Sequence, residues 1–146
     1  MVVGNQRADV EIIIRWFAPS ASVTFAVQEK QLDTAHVIVC GLRVADIKSG
    51  KLLLSYGDMP LLEPVVLKRL LAAARRAPMA FVTCELDDPA GYGRVIRSAS
   101  GDVVKIVEAV DATPSQRAIK EVNVGVYLFD LASLNKGIRA IAANNK

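Results

Sequence analysis

The chain has 146 residues, 52% hydrophobic and 23% charged, with 18 Lys and Arg against 15 Asp and Glu for a net charge of +3. That apolar content excludes a disordered chain, which could not bury enough surface to offset the entropy of ordering. Two cysteines, Cys40 and Cys84, exclude a disulfide-dense secreted scaffold, and no apolar run approaches the ~20 residues that span a bilayer.

The opening residues MVVGN lack a basic stretch followed by an apolar one, so no secretory signal is read there. A soluble, cytoplasmic globular chain without membrane insertion is expected. The basic residues are scattered and aromatics are only 5%, which reads as a solvated surface and not as a nucleic-acid footprint.

In chain order, Val2 and Val3 look like the tail of a strand. Residues 6–17 suit a helix, although Ile12, Ile13 and Ile14 blur its polar face. Residues 23–28 read as a strand with Val23, Phe25 and Val27 on one face. A helix is expected over 34–47. The short strand 51–55, dominated by Leu52, Leu53 and Leu54, reads as buried on both faces. A loop from Tyr56 to Pro60 follows it.

Pro64 opens a helix to about Ala77, at a first-turn position that proline tolerates, with Glu63 a poor N-cap. Arg75 and Arg76 near its end favour the helix dipole. Residues 80–86 form the next strand. Residues 94–98 and 103–108 flank Ala99-Ser100-Gly101-Asp102, a good hairpin turn. A strand over 121–130 and a helix over 131–143 complete the chain. The first half is βαβαβα and the second is β-rich. This predicts an α/β, Rossmann-like, mainly parallel sheet with a β-hairpin insertion, without internal repeat or domain linker.

In such sheets ligands bind beyond the carboxyl ends of the strands. Tyr56-Gly57-Asp58 lies there. Its carboxylate suits Mg²⁺, which takes one or two carboxylates plus phosphate oxygens. Taken alone, an ordinary turn before Pro60 accounts for the tripeptide better. Asp87-Asp88-Pro89-Ala90-Gly91-Tyr92-Gly93-Arg94 is either a close-approach loop or a bare turn. Gln28, Glu108 and Asn123 are isolated polar residues in apolar strands. Each needs a partner, protein or ligand, unless it sits at a wet sheet end.

The single histidine, His36, between Ala35 and Val37, reads as a packing residue and not as a catalyst. Cys40 and Cys84 lack the spacing of a zinc site. There is no Gly-rich phosphate-loop or dinucleotide fingerprint.

Taken together and in order, these segments resemble the uridyltransferase domain of the bacterial N-acetylglucosamine-1-phosphate uridyltransferase family. The resemblance is carried by QEKQLDTAH from Gln28, LLLSYGDMPLLEP from Leu52, ELDDPAGYGRVIR from Glu85, IVEAVDATPSQRAIKEVNVGVYLFD from Ile106 and the terminal Asn144-Asn145. It implies the nucleotide-diphospho-sugar transferase fold. It also implies transfer of uridylyl from UTP to N-acetylglucosamine-1-phosphate, giving UDP-N-acetylglucosamine and pyrophosphate for cell-wall precursor synthesis, with Mg²⁺. By the same resemblance Asp58 would ligate Mg²⁺, and Gln28 and Thr34 would face the uracil. Tyr56 and Gly57 would line the ribose and sugar region. Gly93 would offer backbone to the sugar, and Glu108 and Asn123 would bind its hydroxyl and acetamido groups.

The chain departs from the family at Asp33, where glycine is usual beside the base. Val110 stands in place of lysine, and Val124 in place of threonine, each removing polar character expected near the sugar. The family also opens with a strand and Gly-rich loop, continues beyond Asn145, and carries a β-helix acetyltransferase domain. Against that pattern the resemblance implies a partial nucleotidyltransferase domain over 1–146, lacking the first βα unit, with little or no transferase activity alone. The alternatives are a non-catalytic sugar-nucleotide-binding module and a nucleotidyltransferase for another sugar phosphate.

Overall fold

A computed structural model describes residues 1–4, 7–29, 34–59 and 61–144, the last six by their backbone alone. The elements run β1 (Val2–Val3), α1 (Arg7–Phe17), β2 (Ala26–Val27), α2 (Thr34–Ala45), β3 (Lys51–Leu54), α3 (Pro64–Ala73) and β4 (Met79–Glu85). They continue with β5 (Arg94–Arg97), β6 (Val103–Val107), α4 (Pro114–Arg117), β7 (Glu121–Asp130) and α5 (Leu131–Asn144). The chain divides into two compact units, Met1–Gly50 with Lys136–Lys146, and Lys51–Asn135.

In the first unit β1 and β2 pair in parallel, Val2 opposite Ala26 and Val3 opposite Val27. Val3, Ala26 and Ile38 of α2 are buried there. Gly41 lets α2 approach β1, since a Cβ at that position would stand 3.2 Å from a Val2 methyl. α1 buries no residue, and Ile12, Ile13, Trp16 and Phe17 are exposed on it. The strand expected over 23–28 shortens to two residues.

The second unit is organised by β7, whose alternation sends one set of side chains to each face. Val124, Val126 and Leu128 meet Leu67, Leu70 and Ala74 of the α3 segment, joined by Ala80 and Val82 of β4. Burying a side chain such as Leu128 or Leu70 contributes about 1.5–3 kcal/mol. α3 begins as expected, with proline in its first turn and Glu63 giving no side-chain cap. It ends at Ala73, so Arg75 and Arg76 fall beyond its last turn.

The parallel pairing expected of the sheet is present between β1 and β2, whereas every described ladder of the second unit is antiparallel. The reason is the place of β7. It runs between β3 and β4, pairing Leu54 with Tyr127 on one side and Phe81 with Tyr127 on the other. β3 and β4 therefore point the same way, as a strand–helix–strand crossover requires, but do not touch. β5 continues the β3 side of β7, with Arg94 opposite Val122, and β6 pairs with β5.

The hairpin turn forms as predicted, with Gly101 at φ 88 and the Ser98 amide donating to Asp102 O at 2.9 Å. β3 is not buried on both faces: Leu53 is 46% exposed while Leu52 and Leu54 are half-buried. Three consecutive apolar residues, whose side chains alternate between faces, cannot reveal which neighbour covers each face.

Candidate functional site

The face of β7 opposite α3 carries Asn123, Gly125, Tyr127 and Phe129. Between Phe81 and Thr83 of β4, β7 runs from Tyr127 to Asn123, so three residues of β7 stand against one of β4. This irregularity is a bulge with two extra residues on β7, and Gly125 sits in it at φ 86, a conformation that glycine adopts without steric cost. The bulge brings Asn123 and Tyr127 together. Asn123 Nδ2 donates to Tyr127 Oη at 2.5 Å, and the Gly125 amide donates to Asn123 Oδ1 at 3.2 Å. An amide side chain has two donors and two lone pairs, so one of each remains for another partner.

Asn123 is tied to Gly93 through its backbone, its amide donating to Gly93 O at 2.9 Å. Gly93 is buried just before β5. A Cβ there would lie 3.1 Å from an Ile106 methyl and 3.3 and 3.4 Å from the two Glu108 carboxylate oxygens. Glycine thus gives the carboxylate its seat. Glu108 itself lies one residue past β6 and is exposed, so it belongs to a wet strand end and not to an apolar strand interior. Burial is the main influence raising the Tyr127 phenol above the ordinary range; the Asn123 hydrogen bond opposes it, while Tyr56 and Glu108 reinforce it. The hydroxyl keeps its proton and can donate it.

The glycine loop before Gly93 is held by Arg94, whose residue is only 3% exposed. Its guanidinium donates to the carbonyls of Ala90 at 3.2 Å, Pro89 at 3.5 Å, Arg117 at 3.4 Å and Tyr92. Three loop carbonyls and that of Arg117 in α4 converge on one guanidinium fork, which fixes the backbone of the loop. The Ala90 amide donates to Asp88 Oδ1 at 3.1 Å, which supports the positive φ of 39 at Ala90.

After β3, Tyr56 folds its ring onto Gly125. A Cβ at Gly125 would meet Tyr56 Cε2 at 2.2 Å and Cδ2 at 2.7 Å. Tyr56, Gly93, Glu108 and Asn123 are thereby gathered on the β7 face, whereas Gly57 and Asp58 are exposed in the turn beyond β3. No three His, Cys, Asp or Glu side chains gather to hold a metal among the described residues. A single hard, exposed carboxylate, Asp58, fits Mg²⁺ that draws its other oxygens from water and phosphates.

In the first unit, Gln28 follows β2 directly and is 8% exposed. Its amide nitrogen donates to Val3 O at 2.8 Å, and its Nε2 donates to His36 Nδ1 at 3.0 Å. His36 Nε2 faces Cys40 Sγ at 3.8 Å. His36 is half-buried and links Gln28 to Cys40. Thr34 is the first residue of α2 and half-buried. Asp33 and Asn145 lie outside the described residues.

Two departures from the family pattern find different places. Val110 is 84% exposed. Val124 packs with Leu70, Val126 and Leu128, so it faces the α3 core and removes nothing from the Asn123 side. Sequence reasoning missed Gly125, Tyr127 and Arg94 as contributors to the site. The period of two along EVNVGVYLFD placed Gly125 and Tyr127 on the face of Asn123 and could have found them. Nothing in the order of residues announced that Arg94 turns back onto its own loop.

No family model matches the chain. The chain is 40% identical over 147 residues to the bifunctional protein GlmU of Cutibacterium acnes, covering 99% of the chain and 34% of that protein. It is 42% identical over 150 residues to GlmU of Mycobacterium bovis, covering 99% of the chain and 30% of that protein. The chain therefore spans about a third of the length of these curated relatives.

Among solved structures, UDP-glucose pyrophosphorylase complexed with UDP-glucose is similar with a TM-score of 0.65 at 14% identity, over 99% of the chain and 61% of that protein. CMP:2-keto-3-deoxy-manno-octonic acid synthetase complexed with CTP is similar with a TM-score of 0.68 at 15% identity, over 94% of the chain and 58% of that protein. At such identities the likeness is one of fold. Over nearly its whole length, then, the chain is a homologue of one segment of the GlmU proteins and carries the nucleotidyltransferase fold.

Proposed function

We propose that the chain serves the transfer of uridylyl from UTP to N-acetylglucosamine-1-phosphate, giving UDP-N-acetylglucosamine and pyrophosphate for cell-wall precursor synthesis in the cytoplasm. The observation that carries this reading is the gathering of Tyr56, Gly93, Glu108 and Asn123 on one face of β7, in a chain 40% identical to a GlmU protein over 99% of its length. In this reaction a phosphate oxygen of the sugar phosphate bonds to the α-phosphorus of UTP. The bond from that phosphorus to the β-phosphate oxygen breaks, and pyrophosphate leaves with the electron pair.

The work of the protein is placement. The Glu108 carboxylate accepts hydrogen bonds from sugar hydroxyls, and the spare N–H of Asn123 donates to the acetamido group. The Gly93 backbone allows both to approach, while Tyr56 and Gly57 line the ribose and sugar. Gln28 and Thr34 serve the uracil. Asp58 would hold Mg²⁺, which when bound neutralises phosphate charge and favours the leaving of pyrophosphate.

Calorimetry with UDP-N-acetylglucosamine tests this reading. Saturable binding strengthened by Mg²⁺, with the Mg²⁺ effect lost in Asp58→Asn, is expected. Absence of saturable binding would overturn it. Tight binding that ignores Mg²⁺, with no exchange of labelled pyrophosphate into UTP, would instead favour a binding module without catalysis. Preference for another nucleotide sugar in a panel would assign a different sugar phosphate.

A further inference from the structure

The amide of Asn123 has only one orientation that satisfies its neighbours. The Gly125 N–H can only donate, so Oδ1 must face it, and Nδ2 is turned toward Tyr127 Oη. Tyr127 is itself held in place. Its ring stacks on Phe129 with centroids 5.7 Å apart and leans on Phe81 at 6.0 Å. Because Tyr127 Oη accepts from Asn123, its own proton is left for a different acceptor. The second N–H of Asn123 and the O–H of Tyr127 are thus two neighbouring donors that the pair does not use between its own members.

A carbonyl oxygen, with two lone pairs and no proton, is the complement of two such donors, whereas the Glu108 carboxylate nearby suits hydroxyl groups. We propose that Tyr127 is a specificity-determining residue: it orients the Asn123 amide and adds the second donor to an acyl carbonyl, so that the site selects a sugar bearing an acylamino group over one bearing a hydroxyl there. The inference rests on the reading of the β7 face as the sugar site and goes beyond it by naming what distinguishes the sugars.

The test is Tyr127→Phe, which removes the hydroxyl and keeps the ring stacked on Phe81 and Phe129. Binding of UDP-N-acetylglucosamine and of UDP-glucose is titrated for both proteins, and the Asn123 side-chain amide is followed by ¹⁵N NMR. The variant is expected to lose about three- to tenfold in affinity for the acylamino sugar, the worth of one neutral hydrogen bond. Its affinity for UDP-glucose is expected to hold, and the Asn123 amide signals to move before any ligand is added. If the wild type binds both sugars and the ratio is unchanged in the variant, this inference fails alone. If the wild type binds neither, the sugar-site reading fails and the inference with it. A Tyr127→Leu variant that keeps the wild-type ratio would equally overturn the role of the hydroxyl.

Discussion

Replacing Gly125 with alanine perturbs the bulge and the Tyr56 ring at once, and the two costs can be separated. At φ 86 an L-residue is strained, at about 1–3 kcal/mol. The added methyl would stand 2.2 Å from Tyr56 Cε2, against an ordinary carbon contact of about 3.5–4.0 Å. The ring must therefore withdraw by more than about 1 Å. Because Tyr56 is already 52% exposed, it can swing outward, and the loss is its contact with the strand, about 1 kcal/mol. Gly125→Ala should thus destabilise the second unit by about 2–4 kcal/mol.

Urea unfolding followed by far-ultraviolet circular dichroism measures this for Gly125→Ala, Tyr56→Ala and the double variant. In the Tyr56→Ala background only the backbone strain should remain, so the glycine substitution should cost about 1 kcal/mol less there. Equal costs in the two backgrounds would refute the contact. A cost below about 0.5 kcal/mol in both would refute the strained bulge as well.

Arg94→Met should leave three loop carbonyls and that of Arg117 without this donor, destabilising by about 2–4 kcal/mol and speeding protease cleavage between residues 87 and 93, read by mass spectrometry. Leu128→Ala should cost about 2–5 kcal/mol in urea unfolding, since that side chain lies in the α3 core. Glu121 accepts from the Arg97 guanidinium at 2.6 and 2.7 Å, and that hydrogen bond is the main influence lowering its carboxyl below the usual value. The unfolded chain then binds the proton first. This contribution is full above about pH 4.3 and is lost as pH falls through the lower folded value. The urea midpoint of Glu121→Gln should accordingly fall less between pH 5 and pH 3 than that of the wild type.

The hairpin was legible because Ala99-Ser100-Gly101-Asp102 combines a left-handed glycine with short polar side chains, Ser100 and Asp102, that hydrogen-bond to each other across the turn. β7 was legible to the residue because EVNVGVYLFD alternates cleanly between polar and apolar neighbours. Its partners were not legible. Period gives the face of a residue and not the strand beside it, so insertion between β3 and β4 appears only in the fold. β2 is short because Val23 and Phe25 have the residue types of a strand but, among the described residues, the ladder with β1 includes only Ala26 and Val27. The short α4 went unread, although Thr113 and Gln116 form a reciprocal capping box around Pro114. A single polar residue in an apolar strand is what singled out Asn123. That signal could not mark Tyr127, because a tyrosine in a strand is what packing alone would choose.

The central claim is that the β7 face holds the sugar of a uridine nucleotide sugar through Glu108 and Asn123. Titration of UDP-N-acetylglucosamine and of UDP into the wild type, Glu108→Gln and Asn123→Ala tests it most directly. The account predicts that both variants lose at least about tenfold in affinity for the nucleotide sugar, or roughly 1.4 kcal/mol, while UDP binds all three alike. Equal affinity of the three proteins for UDP-N-acetylglucosamine would contradict it.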